Sequence, residues 1–288
     1  MAGRDVATAR HARLSEITLG FEGLALLRGL VDGPDDRMAA RIDEVRKIVA
    51  RMDDPRFAVG LDVAELDPRS GYAAAATGYD VERNPLIEAE HPIVEALLAD
   101  AAPGRALDAA CGTGRHAKHL AERHETYGVD ASAEMLAVAR AAAPNATFRT
   151  ADLEDLPFPD GHFDVAVCAL ALCHLPDLTK AVVEIGRVAR PGARVVLTDP
   201  HPINVAIISH LFVPTPEGGL GFVRNHRRLV GDYLRAFDAA GLRVRQCIEP
   251  PVPTSGMTGG IAGPFLAEAM RQALEGLPQA IIWDLEKA

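Results

Sequence analysis

The sequence lacks several features that would assign it to a class of protein at once. It has no block of Lys and Arg, and its formal net charge is −10, which argues against a nucleic-acid-binding face. No apolar run reaches the length that spans a membrane. The opening stretch "MAGRDVATARHARLSE" has no apolar core of a signal peptide. We therefore expect a cytoplasmic protein that binds neither nucleic acid nor membranes.

Cysteine is also scarce, with four residues in 288. None of the four forms a C-x-x-C pair, and Cys111, Cys168 and Cys173 lie in or beside apolar runs, which is typical of buried free thiols. His116 and His119 are one turn apart on a predicted helix, and we interpret them as part of a solvated helix face. The sequence therefore predicts no metal site.

Residues 1 to 70 are predicted to form a helical N-terminal extension. Two segments have apolar residues at helical spacing, and the turn residues "VDGPDD" separate them. The apolar positions are Leu14, Ile17, Phe21 and Leu24 in the first segment and Met38, Ile42, Val45 and Ile48 in the second. A helical hairpin of this kind has to bury its apolar stripes. It could cap the main domain, serve as a lid or form a homodimer contact, and residues 53–71 are predicted to be a linker.

Residues 71 to 288 form the second predicted domain, in which strands and helices alternate from about residue 85. This alternation is typical of βαβ units, in which a parallel sheet has helices on both faces. The alternation stops at about residues 200–227, which we predict to be an irregular, substrate-facing insert. A helix, a strand, another helix and the closing strand "QAIIWDLEK" follow.

The stretch "ALDAACGTGRH" lies between the first strand and the first helix of this alternation. Glycines at such a turn let the backbone approach a ligand, and the helix contributes free N–H groups. It is not a phosphate-binding P-loop, since no G-K-[ST] follows. Gly112, Gly114 and Ala117 match the dinucleotide pattern G-x-G-x-x-[G/A], and Asp130 ends the next strand as the expected ribose ligand. This pattern fits NAD and several other adenosine ligands.

Two more acidic positions bear on the choice of ligand. Asp108, inside the glycine strand, suits a positively charged group and would repel a pyrophosphate. Asp152 and Leu153 follow the third strand, where they could read the edge of an adenine. An NAD-dependent oxidoreductase would leave Asp108 and Asp152 without a role, and the chain has no Tyr-x-x-x-Lys pair for carbonyl chemistry. That activity is kept as an alternative.

An ordered set of motifs containing these residues resembles the class I S-adenosylmethionine-dependent methyltransferases of the bacterial small-molecule type. The motifs are "YDVERNPL", "LDAACGTGRHA", "GVDASAEMLAVAR", "ADLEDLPFPDGHFDVAVCALALCHLPD", "RVARPGARVVLTDPHP" and "DYLRAFDAAGLRV". The resemblance extends from about Tyr72 to the C terminus. It implies an α/β Rossmann-like three-layer sandwich with a seven-stranded, mostly parallel sheet in the order 3-2-1-4-5-7-6. The last strand would be antiparallel.

The same resemblance implies that S-adenosylmethionine is the cofactor, with S-adenosylhomocysteine as its product, and it gives roles to individual residues. At the methionyl end, Gly112 and Gly114 would pass under the methionyl portion, Asp108 would act near its ammonium group, and the backbone at Ala169 and Leu170 would reach its amine. At the nucleoside end, Asp130 would bind both ribose hydroxyls, Ala131 and Met135 would pack on the adenine, and Asp152 and Leu153 would read the adenine edge. Tyr72 and Tyr79 would belong to a lid over the cofactor. The chain departs from the family at Ala110, where glycine is more common. We expect a slight shift of the backbone there and no loss of binding.

The implied function is transfer of the methyl group, by in-line displacement, to an O, N or C nucleophile of a small-molecule acceptor. The alternative within the same fold is a protein that binds the cofactor and catalyses a rearrangement without methylation. A hydroxyl acceptor must lose a proton, and a histidine can serve as the base that takes it. The candidates are His174 beside the cofactor, and His201 and His226 in the region where the acceptor should bind.

Overall fold

The structure is a computed structural model that describes residues 10–55, 60–76, 78–80, 84–207, 210–215, 219–253 and 264–288. In chain order its elements are β1 (Arg10–Arg13), α1 (Leu14–Asp32), α2 (Asp35–Ala50), β2 (Gly60–Leu66), α3 (Pro68–Ala75), α4 (Pro85–Ala99), β3 (Arg105–Ala109), α5 (Arg115–Leu120), β4 (Glu125–Asp130), α6 (Ala133–Ala142), β5 (Thr147–Thr150), β6 (Phe163–Ala169), α7 (Thr179–Val188), β7 (Ala189–Pro200), α8 (Pro202–Ile207), β8 (His210–Pro214), β9 (Leu220–Arg224), α9 (Val230–Ala239), β10 (Leu242–Ile248), α10 (Pro264–Leu274) and β11 (Ala280–Lys287). A 3₁₀ turn, Leu172–His174, follows β6.

The chain divides into two compact units. The smaller unit comprises Met1–Glu65 and Pro251–Leu277, and the larger comprises Leu66–Pro250 and Pro278–Ala288. The division predicted from the sequence placed a single boundary near residue 70. It differs from the observed division because the segment Pro251–Leu277 groups with the N-terminal helices.

The larger unit contains a seven-stranded sheet in the order β10-β11-β7-β6-β3-β4-β5. The strands from β3 to β7 pair in parallel, whereas β11 is antiparallel to both β7 and β10. Numbered within the sheet, this order is 3-2-1-4-5-7-6, so the predicted topology and its antiparallel last strand are confirmed.

Helices cover both faces of this sheet, because successive strand residues point to opposite sides. Ala166 packs in one buried cluster with Ile185 of α7 and Phe237 of α9. Its neighbour Val167 packs in a second cluster with Leu98 of α4. Both clusters are apolar, which explains why the strands have near-continuous apolar runs. Since the chain leaves β3 and β6 toward opposite edges of the sheet, a crevice opens at their carboxyl ends.

In the smaller unit, α1 and α2 confirm the two helices predicted from apolar spacing. Phe21 and Ala25 of α1 share a buried cluster with Ala273 of α10. Arg28 of α1 donates hydrogen bonds to the carbonyl oxygens of Ala273 and Glu275, at 2.6 and 2.7 Å. The apolar stripe of α1 is therefore covered at Phe21 by a helix from the distant segment Pro251–Leu277, whereas Ile17 is exposed. Sequence spacing alone does not show such a long-range contact.

Two regions that were predicted to be irregular contain regular structure, so those predictions are wrong. The predicted linker at 53–71 contains β2, and α3 begins in it at Pro68. Asp67 caps α3 by accepting a hydrogen bond from the N–H of Ser70 at 3.0 Å, and this cap with its following proline is a recognisable start signal. The insert at 200–227 contains α8 and an antiparallel pair, β8 with β9. The strands of this pair, "HLFVP" and "LGFVR", contain proline and glycine, which are depleted in strands and favoured the irregular interpretation.

Candidate cofactor site

A cavity of about 370 Å³ lies at the carboxyl ends of β3, β4 and β6 in the larger unit. Its lining contains nearly all of the residues predicted to bind the cofactor: Tyr72, Tyr79, Asp108, Ala110, Gly112, Asp130, Ala131, Met135, Asp152, Leu153, Ala169 and Leu170. Gly114 is the predicted residue outside this lining. The structure thus brings together residues from four of the six motifs, and Tyr72 in addition, and their role in binding stays a prediction.

The two glycines of the loop have different structural roles. Gly112 has φ +53°, and a Cβ built on it would meet nothing within 4 Å, so its backbone borders open space. Gly114 has φ +85°, and a Cβ there would lie 3.1 Å from Cα of Ala139. Gly114 therefore permits close packing of the loop against α6, while Gly112 keeps the cavity side of the loop clear.

Two residues without glycine's freedom adopt left-handed backbone conformations at the cavity. Ala110 has φ +56° directly after β3, and Leu170 has φ +57° directly after β6. This conformation costs an L-residue about 1–2 kcal/mol. Glycine at the position of Ala110 would adopt the same backbone conformation without this steric cost. The strain lies at the edge of the sheet where the ligand is expected, as is common at functional sites.

Asp130, at the end of β4, ties together the two loops that border the cavity. One carboxylate oxygen accepts from the N–H of Gly112 at 2.8 Å, and the other accepts from the N–H of Ser132 at 2.8 Å. Burial raises its pKa, and the two backbone hydrogen bonds oppose that shift. Since each carboxylate oxygen has two lone pairs, Asp130 can still accept hydrogen bonds from a ligand.

Asp108, near the end of β3, is a fully buried acid in the wall of the cavity. Its Oδ2 atom accepts from the N–H of Ala117, in the first turns of α5, at 2.7 Å. Burial raises the pKa of Asp108 to about 7, although the Ala117 hydrogen bond and the Arg115 guanidinium lower it. A cationic group placed next to Asp108 would therefore ionise it and gain a charge partner.

Sequence reasoning missed several polar residues of the lining, and Arg115 and His116 are two of them. A terminal nitrogen of Arg115 lies 2.6 Å from Oε1 of the fully buried Glu90. His116 is 3% exposed, so the prediction of a solvated helix face is wrong for this residue, because α4 covers that side of α5. The contact between Glu90 and Arg115 joins α4 to α5, so no local sequence pattern predicts it.

In the described part of the chain, no three His, Cys, Asp or Glu side chains are arranged to hold a metal ion.

Tyr72 and His174 form a hydrogen-bonded pair in the lining. The hydroxyl oxygen of Tyr72 is 2.7 Å from Nε2 of His174, and Nδ1 of His174 is 3.0 Å from the carbonyl oxygen of Arg224. A carbonyl only accepts, so Nδ1 is assigned the proton and Nε2 accepts from the Tyr72 hydroxyl. Burial lowers the pKa of His174 and raises that of Tyr72, so both groups are neutral near pH 7.

The other two predicted candidate bases lie outside the cavity lining. His201 is buried, with Nε2 2.8 Å from Oε1 of Glu249, and its Nδ1 accepts from the N–H of Ile203 at 3.1 Å. Both ring nitrogens of His201 are thus occupied by its own neighbourhood. His226 contributes its backbone N–H to the carbonyl oxygen of Cys173 at 2.7 Å. Among the three candidates, the geometry places only His174 at the cavity.

Comparison with known proteins assigns this part of the chain to a family. Residues 107–197 match the methyltransferase domain family. The chain is 38% identical over 134 residues to a demethylmenaquinone methyltransferase of Thermus thermophilus, covering 44% of this chain and 56% of that protein. It is 34% identical over 131 residues to the O-methyltransferase rstn1 of Aspergillus nomiae, covering 40% of this chain and 58% of that protein. The chain spans little more than half the length of these relatives.

Among solved structures, an S-adenosylmethionine-dependent methyltransferase from Mesorhizobium loti superposes with a TM-score of 0.54 at 26% identity. The alignment covers 69% of this chain and 98% of that one. Together with the strand order of the sheet, these matches identify the central part of the chain as a class I S-adenosylmethionine-dependent methyltransferase domain. Within the described ranges, no helix is both long enough and apolar enough to cross a membrane.

Proposed function

We propose that this protein transfers a methyl group from S-adenosylmethionine to an O, N or C nucleophile of a small-molecule acceptor. The observation that carries the proposal is the convergence of three carboxylates, those of Asp108, Asp130 and Asp152, on one cavity beside the glycine loop. Each acid matches a different part of the cofactor: a cationic amino acid end, a ribose and an adenine amine.

The surroundings of these acids fit the cofactor. A cationic ammonium group would stabilise the charge of the buried Asp108 carboxylate. The open side of Gly112 leaves room for the methionyl chain, and the Asp130 oxygens can still accept hydrogen bonds from the ribose hydroxyls. Ala131, Met135 and Leu153 supply apolar surface for the adenine ring. We assign the backbone at Ala169 and Leu170 to the methionyl amine, and Tyr72 with Tyr79 to a lid. Their rings meet edge to face at 5.8 Å.

When bound, S-adenosylmethionine supplies an electrophilic methyl group on a sulfonium sulfur. The work left to the protein is to align the acceptor with that methyl group and to exclude water, which can contribute on the order of 7–11 kcal/mol. The lid tyrosines and the apolar lining near Leu175 do this at the acceptor end. Methyl transfer disperses charge, so an apolar surrounding does not oppose it.

Tyr72 and His174 provide a route for the proton of a hydroxyl acceptor. The Tyr72 oxygen can accept that proton while its own hydroxyl hydrogen passes to Nε2 of His174, whose lone pair already faces it at 2.7 Å. The carbonyl of Arg224 then supports the resulting imidazolium through Nδ1. Proton transfer of this kind contributes roughly 10²–10⁴-fold to rate. We therefore assign the base to His174 and no longer to His201 or His226.

The names of the matched relatives support an acceptor of small-molecule class. One acts as a demethylmenaquinone methyltransferase and the other as an O-methyltransferase. We infer further that the protein works in the cytoplasm without nucleic acid, which the net charge of −10 supports. The inference of a homodimer through the N-terminal helices rests on Leu27 and Leu30 of α1 and Val49 of α2, which are 68%, 66% and 54% exposed.

The test is a transfer assay with S-adenosylmethionine labelled in its methyl group. The full chain is incubated with a panel of phenols, quinols, amines and carboxylic acids, and products are separated by mass spectrometry. We expect one acceptor class to gain the labelled methyl group in step with S-adenosylhomocysteine release. A product that changes structure with no label gained would instead support a rearrangement that uses the cofactor without methylation.

A further inference from the structure

The His174 ring is carried by a very short element, the 3₁₀ turn Leu172–His174, which we call the histidine turn. A single 3₁₀ turn has weak hydrogen-bond geometry and cannot hold its own position. Yet His174 meets both Tyr72 and the Arg224 carbonyl at hydrogen-bond distance. Contacts from outside the turn must therefore fix it.

The principal contact comes from Asp199, near the end of β7. Its Oδ1 atom accepts from the N–H of Cys173, the residue before His174, at 2.9 Å. Its Oδ2 atom accepts from the hydroxyl of Tyr233 on α9 at 2.8 Å. Asp199 is 1% exposed and is absent from the cavity lining. It acts on the backbone of the turn and does not reach the cavity.

Two further contacts hold the other side of the histidine turn. Arg228 donates to the carbonyl oxygen of Leu172 at 2.9 Å and also to that of Leu175. The N–H of His226 donates to the carbonyl oxygen of Cys173. The peptide groups on both sides of Cys173 are thus bound, one by a carboxylate and one by a backbone N–H, which leaves the turn little freedom to rotate.

Burying the charged carboxylate of Asp199 costs free energy, so a hydrogen bond to the single amide of Cys173 does not by itself account for its presence. Burial raises the pKa of Asp199 to about 6, while the Tyr233 and Cys173 hydrogen bonds lower it. A carboxylate accepts from two donors in fixed directions, and here those donors are the turn and a tyrosine that is itself packed against Trp283. The pair Asp199 and Tyr233 thereby links the histidine turn to the rigid core of the sheet.

We propose that Asp199 is a positioning residue that, with Tyr233 orienting its carboxylate, sets the histidine turn so that Nε2 of His174 faces Tyr72 and the acceptor. This inference rests on the proposed methyl transfer for its catalytic meaning, although the geometry it describes can be measured without any acceptor.

The first arm of the test is ¹⁵N NMR of the His174 ring in the full chain, with the signal assigned by its loss in His174→Gln. In the unaltered protein we expect the Nδ1–H form. Asp199→Ala should shift the signal toward a mixture of the two tautomers, whereas Asp199→Asn should largely restore it. Asparagine can still accept from Cys173, and its amide can donate to the Tyr233 oxygen. The matched control is Asp284→Asn, since Asp284 is equally buried but pairs with Arg194.

The second arm uses the transfer rate. Asp199→Ala should lower kcat about 10²-fold, the scale of a small misplacement of a catalytic group, with unchanged affinity for S-adenosylhomocysteine. In a His174→Gln background the same change should have no further effect, whereas a loss of general stability would act equally in both backgrounds. Tyr233→Phe should shift the His174 signal in the same direction but less. If Asp199→Ala does not fold, Tyr233→Phe replaces it as the variant that tests the positioning role.

The outcomes separate the two proposals. An unaltered His174 signal in Asp199→Ala, or in Tyr233→Phe if the alanine variant fails to fold, would overturn the positioning role. Equal rate losses in both backgrounds would also overturn it. A shifted His174 signal in a protein that methylates no acceptor would leave the anchoring intact and contradict the proposed function.

Discussion

The hydroxyl oxygen of Tyr72 lies 2.7 Å from Nε2 of His174, and this contact joins α3 to the turn after β6. Tyr72 belongs to the segment predicted to cover the cofactor, and His174 was predicted to lie beside the cofactor. The contact therefore places a proton acceptor, Nε2 of His174, at the cavity beside α3. Both partners of the contact are neutral.

Removing either partner should slow methyl transfer to a hydroxyl acceptor. His174→Gln is expected to lower kcat about 10²-fold or more, because general-base assistance is lost, and Tyr72→Phe to lower it less. The matched controls are His162→Gln and Tyr127→Phe, whose rings pack against each other outside the cavity lining. Steady-state rates at saturating cofactor measure the effect. Equal rates in His174→Gln and in the control would contradict the assignment of the base.

Asp130 should dominate the affinity for the cofactor. Asp130→Asn replaces one acceptor oxygen by a donor, which leaves either Gly112 N–H or Ser132 N–H without its partner. A hydrogen bond to a charged group contributes about 1.5–3 kcal/mol, so we expect the Kd for S-adenosylhomocysteine to rise at least about tenfold. Calorimetry measures it, with the exposed Asp238→Asn as the control. An unchanged Kd in Asp130→Asn would show that Asp130 does not bind the ribose hydroxyls.

Cofactor affinity should depend on pH through Asp108. Its pKa in the free protein is about 7, and a cationic ammonium beside it would lower that pKa in the complex. A group with a lower pKa in the complex releases a proton on binding. Affinity should therefore be constant above pH 7 and weaken as the pH falls below it.

The measurement is calorimetry at pH 6 in buffers of different ionisation enthalpy. The observed heat should vary with the buffer, by an amount that reports the released proton. Asp108→Asn keeps an acceptor for the Ala117 N–H but does not titrate, so it should abolish both the pH dependence and the buffer dependence. Retention of either in that variant would assign the proton to another group.

The left-handed backbone of Ala110 should be a measurable source of strain. Ala110→Gly is expected to raise the free energy of unfolding by about 1 kcal/mol, since glycine adopts φ +56° without steric cost. Ala109→Gly, one residue earlier in the buried strand β3, should instead destabilise the protein by a similar amount. Denaturant unfolding of both variants tests the pair. A loss of stability in Ala110→Gly would show that its methyl packing outweighs the strain.

The fold of the larger unit could be predicted because its signals are local and repeated. The strands β3, β4 and β6 end in Ala109, Asp130 and Ala169, a helical segment follows each of them, and the glycine motif marks the first of these turns. Asp108 lies in the last residues of a strand, Asp130 ends one and Asp152 follows one, so the parallel sheet predicts that the three acids lie at one edge.

The remainder depends on contacts between distant parts of the chain. Glu90 meets Arg115 between two helices, α10 covers α1, and Asp199 reaches the histidine turn only because β6 and β7 are neighbours. None of these pairs has a fixed spacing in the sequence. The contact between the His201 ring and Glu249, which are 48 residues apart in the chain, likewise has no signal in the sequence.

The central claim is that the cavity binds a sulfonium-bearing nucleoside, and calorimetric titration of the full chain tests it most directly. Titration with S-adenosylmethionine and with S-adenosylhomocysteine should each give one saturable binding event per chain, with NADH giving none. A saturable response to NADH with no heat from either sulfur compound would contradict the account.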